Sequence, residues 1–299
     1  MDILVTGASG LIGSALVPRL TAEGHHVIEL RRDRGTTPAS QATWNPDAGQ
    51  IDLSRCGPVD AVVHLAGENV AQRWTPKAKA RIRDSRVNGT HLLCEALTKL
   101  AQPPKTLVGA SATGFYGHRG EEALDEQSAP GSGFLAEVCR EWEAALASAA
   151  EQGVRVVHLR LGLVLAAQGG ALAKMLTPFR LGLGGSLGSG RQYWSWITLE
   201  DLLAVVLFAM RTETLSGPVN AVAPGTVTNR EFTKTLGRVL RRPAILPVPG
   251  FALRLLFGEM ADGALLASAR VKPAKLEASG FVFRFPELEP ALRSLLKTR

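Results

Sequence analysis

The chain has 299 residues, 45% hydrophobic and 20% charged, enough apolar side chain to bury a large core, which excludes a disordered polymer. A net charge of +7 raises nucleic acid as a partner, but an aromatic fraction of 6% and the lack of a recognised nucleic-acid module argue against one. The three cysteines, Cys56, Cys94 and Cys139, are widely spaced without a C-x-x-C pair, which excludes a disulfide framework or zinc site and points to a reducing compartment.

Residues 3–13 read as an apolar strand, a G-x-x-G-x-x-G turn and a helix start, the entry of a dinucleotide-binding fold. Gly7 falls where a Cβ would clash in the turn, Gly10 where backbone must approach a pyrophosphate, and Gly13 where helix packs on strand. The helix N-terminus offers unpaired N–H groups to phosphate. Pro18 interrupts the helical pattern and predicts a kink near Ser14. Residues 27–30 form the second strand, which ends in Arg31 and Arg32. Two guanidiniums there, where an NAD site presents an acidic side chain to the ribose, suit a 2′-phosphate and favour NADP(H). The plainer reading is that they solvate a strand end.

Residues 60–67 predict a buried strand ending in a small-residue turn, followed by a helix that carries residues 88–97. Lys77, Lys79, Arg81, Arg83 and Arg86 fit one solvated face of that helix, with one or two arginines turned toward an anionic cofactor. Further strands are expected at 106–111 and 154–160, with a long helix over 132–150 between them. This alternation predicts an α/β chain with a Rossmann-type doubly wound parallel sheet and a small C-terminal lobe. The sheet domain is expected over 1–165. Residues 166–299 then hold a substrate-side loop and a smaller, mostly helical lobe interleaved with the sheet. The glycine-rich run 179–191, flanked by Arg180 and Arg191 and followed by Tyr193, Trp194 and Trp196, reads as a segment covering substrate, with a structural crossover as the alternative. Residues 280–285 are an aromatic strand candidate in the helical C-terminal part, which is expected over the carboxyl edge of the sheet. The first twenty residues show no cationic leader, and the longest apolar run, 202–210, is too short to span a bilayer, so the expectation is a soluble, cytoplasmic protein.

The order of motifs, residues 6–13, 64–67, Gly89-Thr90 and 115–117, resembles the extended short-chain dehydrogenase/reductases that act on nucleotide sugars. The runs 65–69, 133–139, 178–185 and 285–288 are similar to a narrower group, the atypical epimerase-like members of the NAD-dependent epimerase/dehydratase superfamily, which carry an uncharacterised C-terminal domain. The resemblance covers nearly the whole chain and implies the fold and a nicotinamide cofactor. Together with the turn chemistry it places cofactor contacts at Gly7, Ser9, Gly10, Leu11, Ile12, Arg31, Arg32, Leu65, Ala66, Gly67, Arg86 and Arg160.

The resemblance also implies a Tyr-x-x-x-Lys pair in which the lysine lowers the tyrosine pKa for proton exchange. That pair is absent here: its positions fall on Leu135 and Cys139, and neither of the two tyrosines, Tyr116 and Tyr193, has a lysine four residues on. Ser111 or Thr113 falls where a substrate-polarising hydroxyl belongs, although a gapless match puts Ala112 there. Arg86 replaces a family asparagine and can only donate. Cys139 is either a reactive thiol beside the nicotinamide or, as free cysteines more often are, a buried core residue. His64 and His118 are acid/base candidates, His64 reading better as structural. No metal site is expected. Two functions follow: an NADP-dependent oxidoreductase or epimerase-like protein acting on a small carbonyl or sugar-like molecule, or a catalytically silent NADP-binding redox sensor. The substrate and the oligomeric state stay open.

Overall fold

The computed structural model describes residues 1–32 and 42–297. In chain order the first half forms β1 (Asp2–Thr6), α1 (Gly13–Ala22), β2 (His26–Arg32), β3 (Thr43–Asn45), β4 (Gln50–Asp52), β5 (Ala61–His64), α2 (Pro76–Thr98), β6 (Thr106–Ala112), β7 (Ala123–Leu124), α3 (Phe134–Ala145) and α4 (Ala147–Glu151). The second half forms β8 (Arg155–Leu161), β9 (Leu163–Leu165), α5 (Gly170–Arg180), β10 (Tyr193–Trp194), β11 (Trp196–Thr198), α6 (Leu199–Arg211), β12 (Gly217–Ala221), β13 (Val227–Thr228), α7 (Asn229–Leu240), α8 (Gly250–Phe257), β14 (Arg270–Val271), α9 (Ala274–Ala278) and α10 (Leu288–Leu296).

Eight strands make the central sheet in the order β12-β8-β6-β5-β1-β2-β3-β4, parallel throughout except for the β3–β4 pair. This is a Rossmann-type doubly wound sheet. The strand order reverses between β1 and β5, and in such sheets ligands bind in the crevice outside the carboxyl ends at that switch point. Strand alternation divides the core accordingly. Ile3, Val5 and Val63 pack with Leu16 and Leu20 of α1 and Val205 of α6, while Leu4, Val62 and Leu107 pack with Leu93 and Leu97 of α2. Trp196, Phe232 and Leu292 centre a third core that joins α5, α7 and α10. Elements beyond residue 165 join this sheet: α6 covers it and β12 extends it beside β8. No helix of the described residues is long and apolar enough to cross a membrane.

Helix α1 continues through Pro18, and Pro18 and Ser14 are both exposed. Three local expectations change. The long helix expected over 132–150 is divided at Leu146, which turns into the core against Gly109. The glycine run is not a free cover: Leu246 N donates to Gly184 O, Val248 N to Ser186 O and Gly188 N to Val248 O. A Cβ on Gly185 would fall 1.7 Å from the Leu246 carbonyl oxygen, so the run is a packed crossover. Residues 280–285 are not a strand. Their alternation is real, but no sheet edge meets them; Phe281 and Phe283 pack on the α6 core, and the N–H groups of Arg284 and Phe285 bond to Asp201.

Asp201 is 2% exposed and also accepts the Thr198 hydroxyl at 3.0 Å. Replacing it with alanine strands two backbone donors inside the protein and should lower stability by about 2 to 4 kcal/mol in urea unfolding, with the slope unchanged. A loss below about 0.5 kcal/mol, the scale of an ordinary surface change, would show that water replaces the carboxylate there.

Candidate active site

The glycine turn is built by close approach. Gly7 takes φ +70°, and a Cβ on it would lie 2.8 Å from the Leu65 carbonyl carbon. On Gly13 a Cβ would lie 2.3 Å from the Gly7 oxygen, so the start of α1 sits directly on the turn. Ser9 and Gly10 are exposed at the rim, and no side chain caps the helix; Ser14 and Ala15 N–H bond to the Gly10 and Ile12 carbonyls, while the N–H groups of Leu11, Ile12 and Gly13 have no backbone acceptor among the described residues and face an anion's position. These features fit a pyrophosphate cradle. Leu11 reaches across to Gly169 and Gly170 at the start of α5, and Ile12 lines the cleft described below.

The switch point is tied by one hydroxyl. Thr6 Oγ1 accepts the N–H groups of Leu65 and Ala66 and lies 2.7 Å from His64 Nδ1, while His64 Nε2 lies 2.9 Å from Thr90 Oγ1. His64 is fully buried, and burial, aided by the Arg86 charge, pulls its pKa down to about 4. It is a neutral structural residue. Gly67 leaves room for Arg86: a Cβ there would sit 3.1 Å from the guanidinium carbon. Arg86 Nη1 donates to the carbonyls of Glu68 and Ile82, and the group lies 5.0 Å from the Trp142 ring centroid. The cationic face of α2 divides as expected. Lys79 and Arg83 pair outside with Glu259 and Glu141, and Arg86 alone of that series turns into the cleft.

At the carboxyl edge of the sheet a cleft of about 510 Å³ joins Ile12, Leu65 and Arg86 to Ser111, Thr113, Leu135 and Cys139. The structure thus brings together the residues expected to take part in chemistry, but their chemistry differs from expectation. Ser111 donates its proton to Glu143 at 2.7 Å. Cys139 is 3% exposed, and burial pushes its thiol up to about 11, with the Glu143 charge acting in the same direction; a reactive thiolate is not what this environment favours. Leu135 packs over Gly114, where a Cβ would come within 3.2 Å of it. Thr113 has a hydroxyl that bonds to no other described residue.

Arg160 requires correction. Expected at the cofactor, it is 3% exposed, grips Glu143 through Nε and Nη2 at 2.8 Å each, and stacks 3.5 Å from the Phe115 centroid. Its remaining Nη1 donates to the Tyr116 hydroxyl at 2.9 Å, which lies 2.7 Å from Asn220 Oδ1. Neither Arg160 nor Tyr116 lines the cleft. His118 accepts the Ser268 N–H on Nδ1 and is likewise outside it. Glu143 escaped the sequence reading. The available signal was its position four residues after Cys139, which puts both on one helical face. Arg31 pairs with Glu29 at 3.1 Å, and Arg32 projects from the other face of β2; both are exposed beside the switch point. Among the described residues no cluster of potential metal ligands occurs.

A doubly wound sheet with a glycine turn at the switch point and an apolar cleft beside it defines a dinucleotide-binding protein of short-chain dehydrogenase/reductase build. The model of the NAD dependent epimerase/dehydratase family matches residues 3–221, and that of a domain of unknown function, DUF1731, matches residues 248–295. The chain belongs to the NAD dependent epimerase/dehydratase family. It is 43% identical over 97% of its length to an epimerase family protein of Mycobacterium leprae, 94% of which is covered. It is 38% identical to the human epimerase family protein SDR39U1 over 99% of this chain and 100% of that one. The crystal structure of that human protein (isoform 2) with NADPH superposes with a TM-score of 0.90 at 36% identity, covering 99% of each chain. A UDP-glucose 4-epimerase of Thermus thermophilus in complex with NAD shares the fold, with a TM-score of 0.78 at 21% identity over 99% of this chain and 98% of that one.

Two outcomes follow from the site's burial. Because the folded pKa of His64 is near 4 and the unfolded value is 6.5, the unfolded chain binds the extra proton between these limits. Stability should be fully present above pH 6.5 and fall by about 3 kcal/mol on going to pH 4, and His64→Gln should remove that component of the slope. An identical slope in the variant would refute the assignment. Cys139 in the folded protein should be alkylated by iodoacetamide at pH 8 about a hundredfold more slowly than in the unfolded chain, read by peptide mass spectrometry. Labelling at equal rates would restore the reactive-thiol reading.

Proposed function

We propose that this chain binds NADP(H) at the β1–β5 switch point and acts as an oxidoreductase or epimerase-like enzyme on a small carbonyl or sugar-like molecule. The observation that carries this reading is that Ile12 of the glycine turn and Leu65 of the facing turn form one wall of the cleft that holds Thr113, Leu135 and Cys139. The NADPH in the human relative's structure supports the cofactor. Gly7, Gly10 and the open end of α1 would hold the pyrophosphate, Arg31 and Arg32 the 2′-phosphate, and the turn 65–67 the ribose and ring. When bound, the nicotinamide supplies a hydride donor or acceptor.

The rest falls to the chain's own groups. Leu135, Trp142 and Leu163 give the cleft apolar walls. Arg86 keeps donors beyond Nη1 for an oxygen that gains negative charge. Ser111 cannot polarise a carbonyl with the proton it gives to Glu143. Thr113 and Tyr193 line the cleft with no hydrogen bond from their side-chain hydroxyls to another described residue, and they are the groups that can hold or deliver a proton there. Lacking a phenol with a lowered pKa removes an acid/base contribution of roughly 10²-fold to 10⁴-fold, so turnover should be slow. Leu135 and Cys139 in place of the pair favour the second reading, a silent NADP-binding redox sensor.

Fluorescence titration should show NADPH binding at least about tenfold more tightly than NADH, with the preference lost in the double variant Arg31→Ala, Arg32→Ala. The single variants assign the contact to one face of β2 or the other. Equal affinity for the two dinucleotides in the wild type overturns the NADP assignment. NADPH that is bound but never oxidised by a broad panel of carbonyl compounds favours the sensor.

A further inference from the structure

The charge content of the cleft is lopsided. Among the described residues that line it there is no aspartate, glutamate, lysine or histidine, and the one guanidinium is that of Arg86. Arg86 is held under Gly67 by the Ile82 and Glu68 carbonyls and lies over Trp142, so it serves the end of the cleft beside the cofactor turn. The wall contributed from residue 162 onward is made of methyl groups, thioethers and rings, with Leu163, Met175, Trp194, Met260 and Leu265 the largest apolar contributors. Its polar side chains are few. Ser195 is occupied, donating to the Ala269 carbonyl and accepting from Val271 N–H, which leaves the Tyr193 phenol there and Thr113 opposite in sequence on the sheet edge. Arg270 stacks on the Tyr193 ring at 5.3 Å but is not part of the lining.

A nucleoside-diphosphate sugar would bring a doubly charged diphosphate and a hydroxylated ring into this space. With Arg86 the one cation in the lining, and that at the cofactor end, burying such charge and such hydroxyls against the apolar wall is unfavourable, whereas an apolar body gains from the wall in proportion to the area it covers. We infer that the substrate of this cleft is an apolar, uncharged carbonyl compound, a ketone or aldehyde with a hydrocarbon body, and not a nucleotide sugar. The inference rests on the reading of this cleft as the catalytic one and narrows it. The single oxygen of such a compound matches the supply of free donors, with Thr113 and Tyr193 available to it, and Trp142 and Trp194 give the site its own optical reporter.

The test is binding, measured by quenching of intrinsic tryptophan fluorescence and by calorimetry on the NADPH-saturated full chain, with 2-undecanone and UDP-glucose as probes. The ketone should bind saturably and UDP-glucose should not. Met175→Glu should weaken the ketone by about tenfold or more, Trp194→Ala should do likewise, and the isosteric Met175→Leu should keep it. NADPH titration of every variant distinguishes a damaged fold from a damaged substrate wall. UDP-glucose binding as tightly as the ketone overturns the inference. So does a protein that binds NADPH and ignores the ketone, and in that case the proposed NADP(H)-dependent function still stands. A wild-type chain that binds no NADPH removes the functional reading and the inference together.

Discussion

The contact on which the site depends is the meeting of the first glycine turn with the end of β5. Gly7 lies too close to Leu65 for a side chain, Gly13 too close to Gly7, and Thr6 joins the strands by accepting two N–H groups from beyond β5. The Gly13 approach is local to the turn, but the Gly7 approach to Leu65 and the two Thr6 bonds are short in space and long in sequence, so they form only when β1 and β5 are paired. Once they are, α1 points its uncapped N-terminus over the crevice and the 65–67 turn is held against the cradle. His64 completes the junction by filling a closed polar pocket between Thr6 and Thr90 in its neutral form. A charged residue in that position would have to be desolvated with hydroxyls as its only partners.

A second constraint decides what chemistry the crevice can do. Glu143 accepts from Ser111 and from two nitrogens of Arg160, and Arg160 continues to Tyr116 and Asn220. A buried pair of this kind contributes little net stability, because desolvation offsets the attraction, but removing one partner leaves an uncompensated charge. Its effect is positional. It commits the serine proton to a carboxylate, so a hydroxyl that the sequence offers for catalysis acts as structure, and it holds the buried Tyr116 phenol between Arg160 and Asn220. Hydroxyls free of such partners, on Thr113 and Tyr193, are left at the cleft.

Legibility followed the range of the determining contact. The glycine turn and the strand ends are local patterns of spacing and apolar runs and could be placed without coordinates, whereas periodicity left open which arginine of α2 turns inward and only the family resemblance singled out Arg86. Arg160 was misassigned because its partners, Glu143 and Tyr116, lie 17 and 44 residues away. Phe281 and Phe283 carry a strand's alternation, yet a strand also needs an edge to pair with, and Asp201 takes the N–H groups that a ladder would use. The glycine run from 182 looked free because glycine permits motion; here Gly185 permits a backbone approach to Leu246 that no side chain allows. Glycine composition alone does not separate these uses.

The two departures at the heart of the site are best understood as one. The position resembling the family lysine is Cys139, and the position resembling its asparagine is Arg86; the Arg86 charge is close enough to Cys139 to oppose the burial that raises its thiol. An ammonium at 139 would then face a guanidinium in a water-poor cleft, where like charges repel far more than in solvent. With Arg86 under Gly67, a lysine on α3 is disfavoured, and without that lysine a phenol at 135 would have no nearby ammonium to lower its pKa. Leucine at 135 and a protonated thiol at 139 are compatible with an arginine at 86 and with the apolar wall beyond. The cation of the site has in effect moved from α3 to α2, from a place where it would serve proton transfer to one where it props the cofactor turn. Restoring the tyrosine and lysine while keeping Arg86 therefore sets two cations against each other, and Arg86→Asn belongs in the same variant if the pair is to function.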